Sequence, residues 1–162
     1  MGIWAKAALA ACALMAPGIV QAQSNEREVG DWLLAVGDKS CVASVGEGDQ
    51  VFSLFTVGES SGFYMMSPEA DGQPLGEDQS YAMQLGSLYV TFGGWVEKVG
   101  DYRGFKVPIS IVSMTGFKAD GYMVTASLKG QRIFALDLQR PGTTEVFREM
   151  TDCETRLRGR RG

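Results

Sequence analysis

The sequence predicts a mainly β fold, a small antiparallel β-sandwich or barrel with one or two short helices, the last near the C-terminus. Three observations lead there. Glycine takes 21 of 162 positions, about 13% against a usual ~7%, so the chain turns often. Apolar runs are short and rich in β-branched and aromatic residues. Glycines and acids cut those runs at intervals that suit hairpins.

The first 22 residues, MGIWAKAALAACALMAPGIVQA, stand apart. Lys6 precedes an apolar run from Ala7 to Val20, broken by Pro17-Gly18, and Val20-Gln21-Ala22 supplies small residues around a cleavage point. The run falls short of the ~20 residues that span a bilayer. A signal peptide cleaved after Ala22 is therefore expected, which makes the mature chain Gln23–Gly162 periplasmic or secreted and leaves it without a transmembrane span. Leu9-Ala10-Ala11-Cys12 keeps open a lipoprotein box with lipid on Cys12, and an uncleaved anchor is the third alternative.

Residues 23–30 (QSNEREVG) are polar and expected to be flexible. A single β-rich domain then spans 31–154. Trp32–Val36 and Cys41–Val45 form a hairpin about Gly37-Asp38-Lys39, and Val51–Val57 and Phe63–Ser67 form another about Gly58–Gly62. Residues 68–80 (PEADGQPLGEDQS) make the longest polar loop. Strands resume at Tyr81–Leu85, Leu88–Phe92 and Trp95–Val99. Pro108–Ala119 mixes signals and leans towards a short helix. Tyr122–Leu128 and Ile133–Leu138 are strands. Pro141–Met150 is a helix, with threonine caps and Val146, Phe147 and Met150 on one face, stopped by Thr151-Asp152-Cys153. Residues 155–162 (TRLRGRRG) form a basic tail.

Removal of residues 1–22 takes Cys12 and leaves Cys41 and Cys153. An even count in an exported chain predicts one disulfide between them, with two buried thiols as the alternative. It also takes Lys6, so 15 basic and 19 acidic residues become 14 and 19, a net −5. The tail holds four arginines, which leaves −9 on residues 23–154. An acidic body is a poor platform for phosphate backbones, and no nucleic-acid partner is expected.

Gly30-Asp31-Trp32 opens the domain and Cys41 follows in the next strand. A short amphipathic segment precedes two strands. The end runs Ile133-Phe134-Ala135-Leu136-Asp137-Leu138, then Val146-Phe147-Arg148-Glu149-Met150, then Cys153. This order, behind a signal peptide, resembles the invasion-associated locus B family of small exported bacterial proteins. The resemblance covers the two ends of the domain, with residues 58–105 outside it. It implies a β-rich envelope protein linked to surface or host interaction, and it carries no catalytic signature onto any residue.

The chain has no histidine, which excludes a Ser–His–Asp triad, a Cys–His dyad, most zinc sites and histidine pH switching. Gly58-Glu59-Ser60-Ser61-Gly62 matches a nucleophile elbow in letters only, because a strand follows it and no base is at hand. Glu69, Asp71, Glu77 and Asp78 share one loop but lack EF-hand spacing, so a solvated acidic loop is expected. The lysines at 39, 98, 106, 118 and 129 fall mostly at turns or strand ends. Trp95, Tyr102, Arg103 and Phe105 lie in a glycine-rich stretch and make an aromatic–arginine binding surface, weighed against core packing. The basic tail offers a contact for an anionic lipid or envelope polymer, weighed against a plain solvated end. The expectation is an exported bacterial envelope protein that binds or interacts without catalysis, using no cofactor and no metal, its envelope or surface partner unknown. The alternatives are a carboxylate-dependent enzyme acting on a glycan or envelope polymer, and a purely structural component.

Overall fold

The computed structural model describes residues 25–85, 88–99, 102–114 and 123–159. The predicted signal peptide, Tyr122, most of the second half of the Pro108–Ala119 segment and the end of the tail lie outside them. Ten antiparallel strands form one sheet: β1 (Asn25–Val29), β2 (Trp32–Val36), β3 (Ser40–Glu47), β4 (Gln50–Val57), β5 (Ser60–Met66), β6 (Gln79–Leu85), β7 (Leu88–Val99), β8 (Tyr102–Pro108), β9 (Met123–Leu128) and β10 (Gln131–Asp137). Their order is β1-β2-β3-β4-β5-β8-β7-β6-β9-β10. Among the described residues two helices join them, α1 (Ile111–Met114) and α2 (Thr143–Gly159), with a 3-10 turn at Pro68–Ala70. The mainly β class and the C-terminal helix are those the sequence predicts.

β1 to β5 form a meander, each strand pairing with the next. Gly58 has φ +58° and turns β4 into β5, where Val57 pairs with Ser60. Gly58–Gly62 is thus a hairpin turn running into a strand, with no helix behind Ser60. β7 is the hinge of the sheet. Its residues up to Gly94 pair with β6, and those from Trp95 pair with β8. One long strand therefore belongs to both halves.

The inner faces of both halves and α2 enclose the main core, which includes Trp32, Phe52, Phe63, Phe105, Phe134, Val146, Phe147 and Met150. Phe52 stacks on Phe63 at 5.3 Å between centroids, and Trp32 meets Phe147 edge-on at 6.3 Å. Trp32 Nε1 donates to Thr143 Oγ1 at 2.9 Å, and Thr143 Oγ1 donates to Leu138 O at 2.6 Å. The Gly30-Asp31-Trp32 motif thus docks the start of the domain on the start of α2. Asp31 N donates to Pro141 O at 3.0 Å. Gly30 (φ +61°) and Gly142 (φ +89°) face each other so closely that a Cβ on Gly30 would stand 2.1 Å from Pro141 O, and one on Gly142 would stand 1.9 Å from Val29 O. Only glycine fits at either position.

The Cys41–Cys153 disulfide ties β3 to α2 across 112 residues. Arg156 lies beside it, its Nη2 3.5 Å from Cys153 Sγ and 3.6 Å from Cys41 Sγ, and donates to Gly37 O at 2.9 Å. Glu154 is fully buried. It accepts from Ser110 Oγ at 3.1 Å and from Val112 N at 2.9 Å, and its other oxygen lies 2.7 Å from Arg158. That carboxylate satisfies donors at the start of α1 and ties the two helices together. The free edge of β10 is covered: Ala135 N donates to Gln50 Oε1 at 2.8 Å, and Ser67 Oγ donates to Ile133 O at 2.8 Å.

Four sequence expectations change. Residues 25–29 are not a flexible lead-in but the edge strand β1, in five pairs with β2. Only Val29 of the five is buried, so the strand is held by backbone bonds and by Arg27, 3.3 Å from Glu145 and 3.2 Å from Glu149; charged residues suit an exposed edge. Leu88–Phe92 and Trp95–Val99 are one strand, since Gly93 and Gly94 stay in it, paired with Ser80 and Gln79. Residues 102–108 form β8, a strand that the glycines of that stretch conceal. The last helix does not stop at Thr151: Cys153 and Leu157 continue its apolar stripe, and Thr151 and Thr155 bond back to Phe147 O and Thr151 O. The helix thereby absorbs residues 155–159 of the basic tail. No described helix is long and apolar enough to cross a membrane.

Candidate functional site

Strand alternation sends Val42, Val51, Phe55, Tyr64 and Met66 to the side of the sheet opposite the main core, where they form a second cluster with Val57. β8 and β7 extend that outer face with Lys106, Trp95 and Glu97, as Trp95 pairs with Lys106 and Lys106 with Tyr64. Lys106 sits at the centre. Its Nζ lies 2.8 Å from Glu97 Oε2. It is also 5.3 Å from the Phe55 ring, 5.6 Å from Tyr64 and 5.4 Å from Trp95. Three rings and one carboxylate thus hold one ammonium by cation–π and ionic attraction.

Tyr64 Oη donates to the same Glu97 oxygen at 2.5 Å. Burial, then the bond to Glu97 and its negative charge, push the Tyr64 hydroxyl far above its ordinary value. Burial alone would raise the Glu97 carboxyl, but the hydrogen bonds from Lys106 and Tyr64 and the charge of Lys106 outweigh it and hold the group below the usual carboxylate range. Glu97 is thus kept as an anion.

A cleft of about 210 Å³ opens at one end of this face, lined by Asp49, Val51, Met66, Ser67, Pro68, Asp71, Tyr102 and Arg103. The turn between β3 and β4, the end of β5, the 3-10 turn and the start of β8 meet there. Arg103 Nη1 donates to Gln73 O at 2.8 Å. The polar loop passes on to the free edge of β7, where Gly76 N donates to Val96 O at 2.9 Å.

The four residues of the expected binding surface part company here. Tyr102, 46% exposed, and Arg103 line the cleft. Trp95 is on the same outer face but lies against Lys106. Phe105 is fully buried, edge-on to Tyr81 at 5.6 Å, and belongs to the main core. Tyr81 is itself buried on the inner side, which pushes its hydroxyl up to about 12. Of the acidic loop, Asp71 reaches the cleft. Among the described residues no group of three or more cysteines, aspartates and glutamates stands together to hold a metal ion.

Sequence reasoning missed the cluster of Tyr64, Glu97 and Lys106. The five lysines were expected mostly at turns or strand ends, and Lys106 departs from that: it lies inside β8 with its side chain only 16% exposed. The available signal was Gly104-Phe105-Lys106-Val107 as one alternating strand beside the Trp95 strand. No family model, no curated protein and no solved structure matches this chain.

Proposed function

We propose that this is an exported bacterial envelope protein that works by binding a partner through the outer face of β3, β4, β5, β8 and β7. The observation that carries the reading is the cleft at Tyr102 and Arg103, set at the end of a face already packed with aromatic side chains. The signal-like start of the sequence and the Cys41–Cys153 disulfide support an oxidising compartment outside the cytoplasm. The resemblance to the invasion-associated locus B family supports a role in surface or host interaction.

Catalysis fits less well. An acid–base carboxylate near neutral pH has to be raised, and Glu97 is held down. The hairpin at Ser60 offers no base. Activity-based probes for serine and cysteine hydrolases are expected to leave the purified protein unlabelled, and labelling lost on Ser60→Ala would reverse the non-enzymatic reading.

The binding reading is tested with a photocrosslinking residue placed at Tyr102 or at Tyr89, which is 74% exposed in the other half of the sheet. In intact envelopes the position-102 protein should give an adduct of one defined mass, competed away by excess unmodified protein. The position-89 protein should not. Equal crosslinking at both positions, or none at 102, defeats it.

A further inference from the structure

We infer that the cleft receives a basic side chain, a lysine or arginine presented by an exposed segment of a partner polypeptide. This rests on the binding reading of the same face. Val51, Met66, Pro68 and Tyr102 give the cleft a hydrocarbon lining, which suits the methylene stem of a long basic side chain. Asp49 and Asp71 are exposed carboxylates on the same lining. Arg103 is the one cation among the lining residues, and it is bonded to Gln73 O at 2.8 Å. Two carboxylates against one guanidinium leave the cleft negative. The exposed Tyr102 ring adds a face for a cation.

The surrounding charge acts in the same sense. Residues 23–162 hold 19 acidic and 14 basic side chains, a net −5, which draws in cationic partners and repels anionic ones. The fold also shows on this very face how it seats an ammonium, since Lys106 rests among Phe55, Tyr64 and Trp95. Size separates a polypeptide from a free ligand. At about 210 Å³ the cleft is smaller than the ~300–1,000 Å³ of ordinary small-molecule pockets. It takes one side chain, and the remaining affinity has to come from contacts outside it. Leu75, 49% exposed, and Tyr102 supply apolar surface for those contacts, on two segments that the bond between Arg103 and Gln73 holds together.

The test uses the mature chain and three fluorescent, end-blocked peptides that alternate glycine with lysine, norleucine or glutamate. Norleucine keeps the stem and drops the charge. Fluorescence anisotropy should show the lysine peptide binding about tenfold or more tightly than the other two, with affinity falling as salt rises. Asp49→Asn with Asp71→Asn should weaken the lysine peptide about five- to tenfold, and Tyr102→Ala about fivefold. Glu26→Gln with Glu28→Gln removes the same charge from β1 and should change binding less than about twofold. All these positions are exposed, so unchanged melting curves are expected to accompany the losses. Equal weakening by the β1 pair would reduce the effect to general attraction and overturn the inference. Tighter binding of the glutamate peptide would assign the cleft to Arg103 and an acidic partner instead, and lysine-peptide binding that is absent would sink the inference outright. If the lysine peptide fails while the position-102 crosslink survives, the basic class falls and the binding face stands; if both fail, both readings fall.

Discussion

Two outer faces of one sheet differ in kind although a single strand serves both. Along β7, Tyr89 and Thr91 point outward in the half built with β6 and β9, and Trp95 and Glu97 point outward in the half built with β8 and β5. The parity never changes. In the first half, Tyr89 lines up with Gln84 and Thr125, and Thr91 lines up with Ala82 and Ser127. These are mostly small side chains, with Thr91 and Ala82 exposed and Thr125 and Ser127 partly so. In the second half the same parity collects Phe55, Tyr64, Met66, Trp95 and Lys106. Topology is therefore neutral between the two faces, and composition alone makes one a plain solvated surface and the other a packed aromatic layer with an ion pair inside it. A sheet needs one apolar face to fold; here one half carries a second buried apolar cluster on its outer side, and the other half does not.

The largest effect should separate the two faces by stability. Phe55→Ala removes a ring that contacts Tyr64 at 4.9 Å between centroids and should cost about 3 kcal/mol or more, the usual scale for deleting a buried phenylalanine. Thr91→Ala, on the other face, should stay within about 0.5 kcal/mol. Urea denaturation of both variants checks this. Similar costs would mean that the aromatic layer contributes nothing special.

Lys106→Met comes next. It keeps most of the stem against the rings and leaves Glu97 without its ammonium. A loss of about 1–2 kcal/mol is expected, between the values for exposed and buried pairs, because Lys106 is 16% exposed and Glu97 39%. Adding Glu97→Gln should recover part of it. A double-mutant cycle with no coupling would show that the pair is a surface accident.

The main core was legible because its signals are local. The β-branched and aromatic residues of Val51–Val57, the apolar run Ile133–Leu138, the turn at Gly58 and the cysteine count are all read within short stretches of sequence. The outer cluster was hidden for a physical reason: Glu97 and Lys106 sit on the neighbouring strands β7 and β8, but Tyr64 comes from β5, which pairs with β8 from far along the chain. No local pattern tells which face of a strand will find a partner. Trp95 and Phe105 show the same limit. Their glycine-rich setting suggested exposure, yet glycines such as Gly94 serve close packing here, since a Cβ on Gly94 would stand 2.1 Å from Lys106 O. β1 was missed because its evidence is backbone pairing, which leaves no apolar trace.

The smallest expected effect is a dependence on pH that belongs to one face only. Glu97 is held below its ordinary range when folded, so the folded state binds its proton less readily than the unfolded chain does. The stability this adds is fully present above the ordinary carboxylate range and is lost as pH falls through the folded value. Glu97 is partly exposed, so solvent screening keeps the contribution to about 0.5 kcal/mol or less. Urea midpoints measured from pH 7 down to pH 3 should fall for the wild type, and slightly less steeply for Glu97→Gln. Tyr64→Phe should lie between them, because it removes one of the two hydrogen bonds that keep Glu97 ionised and leaves the one from Lys106. Thr91→Ala should follow the wild type. If Glu97→Gln and the wild type trace one curve within error, the carboxylate is not held by Lys106 and Tyr64 in solution, and the outer layer is an apolar patch without an electrostatic centre.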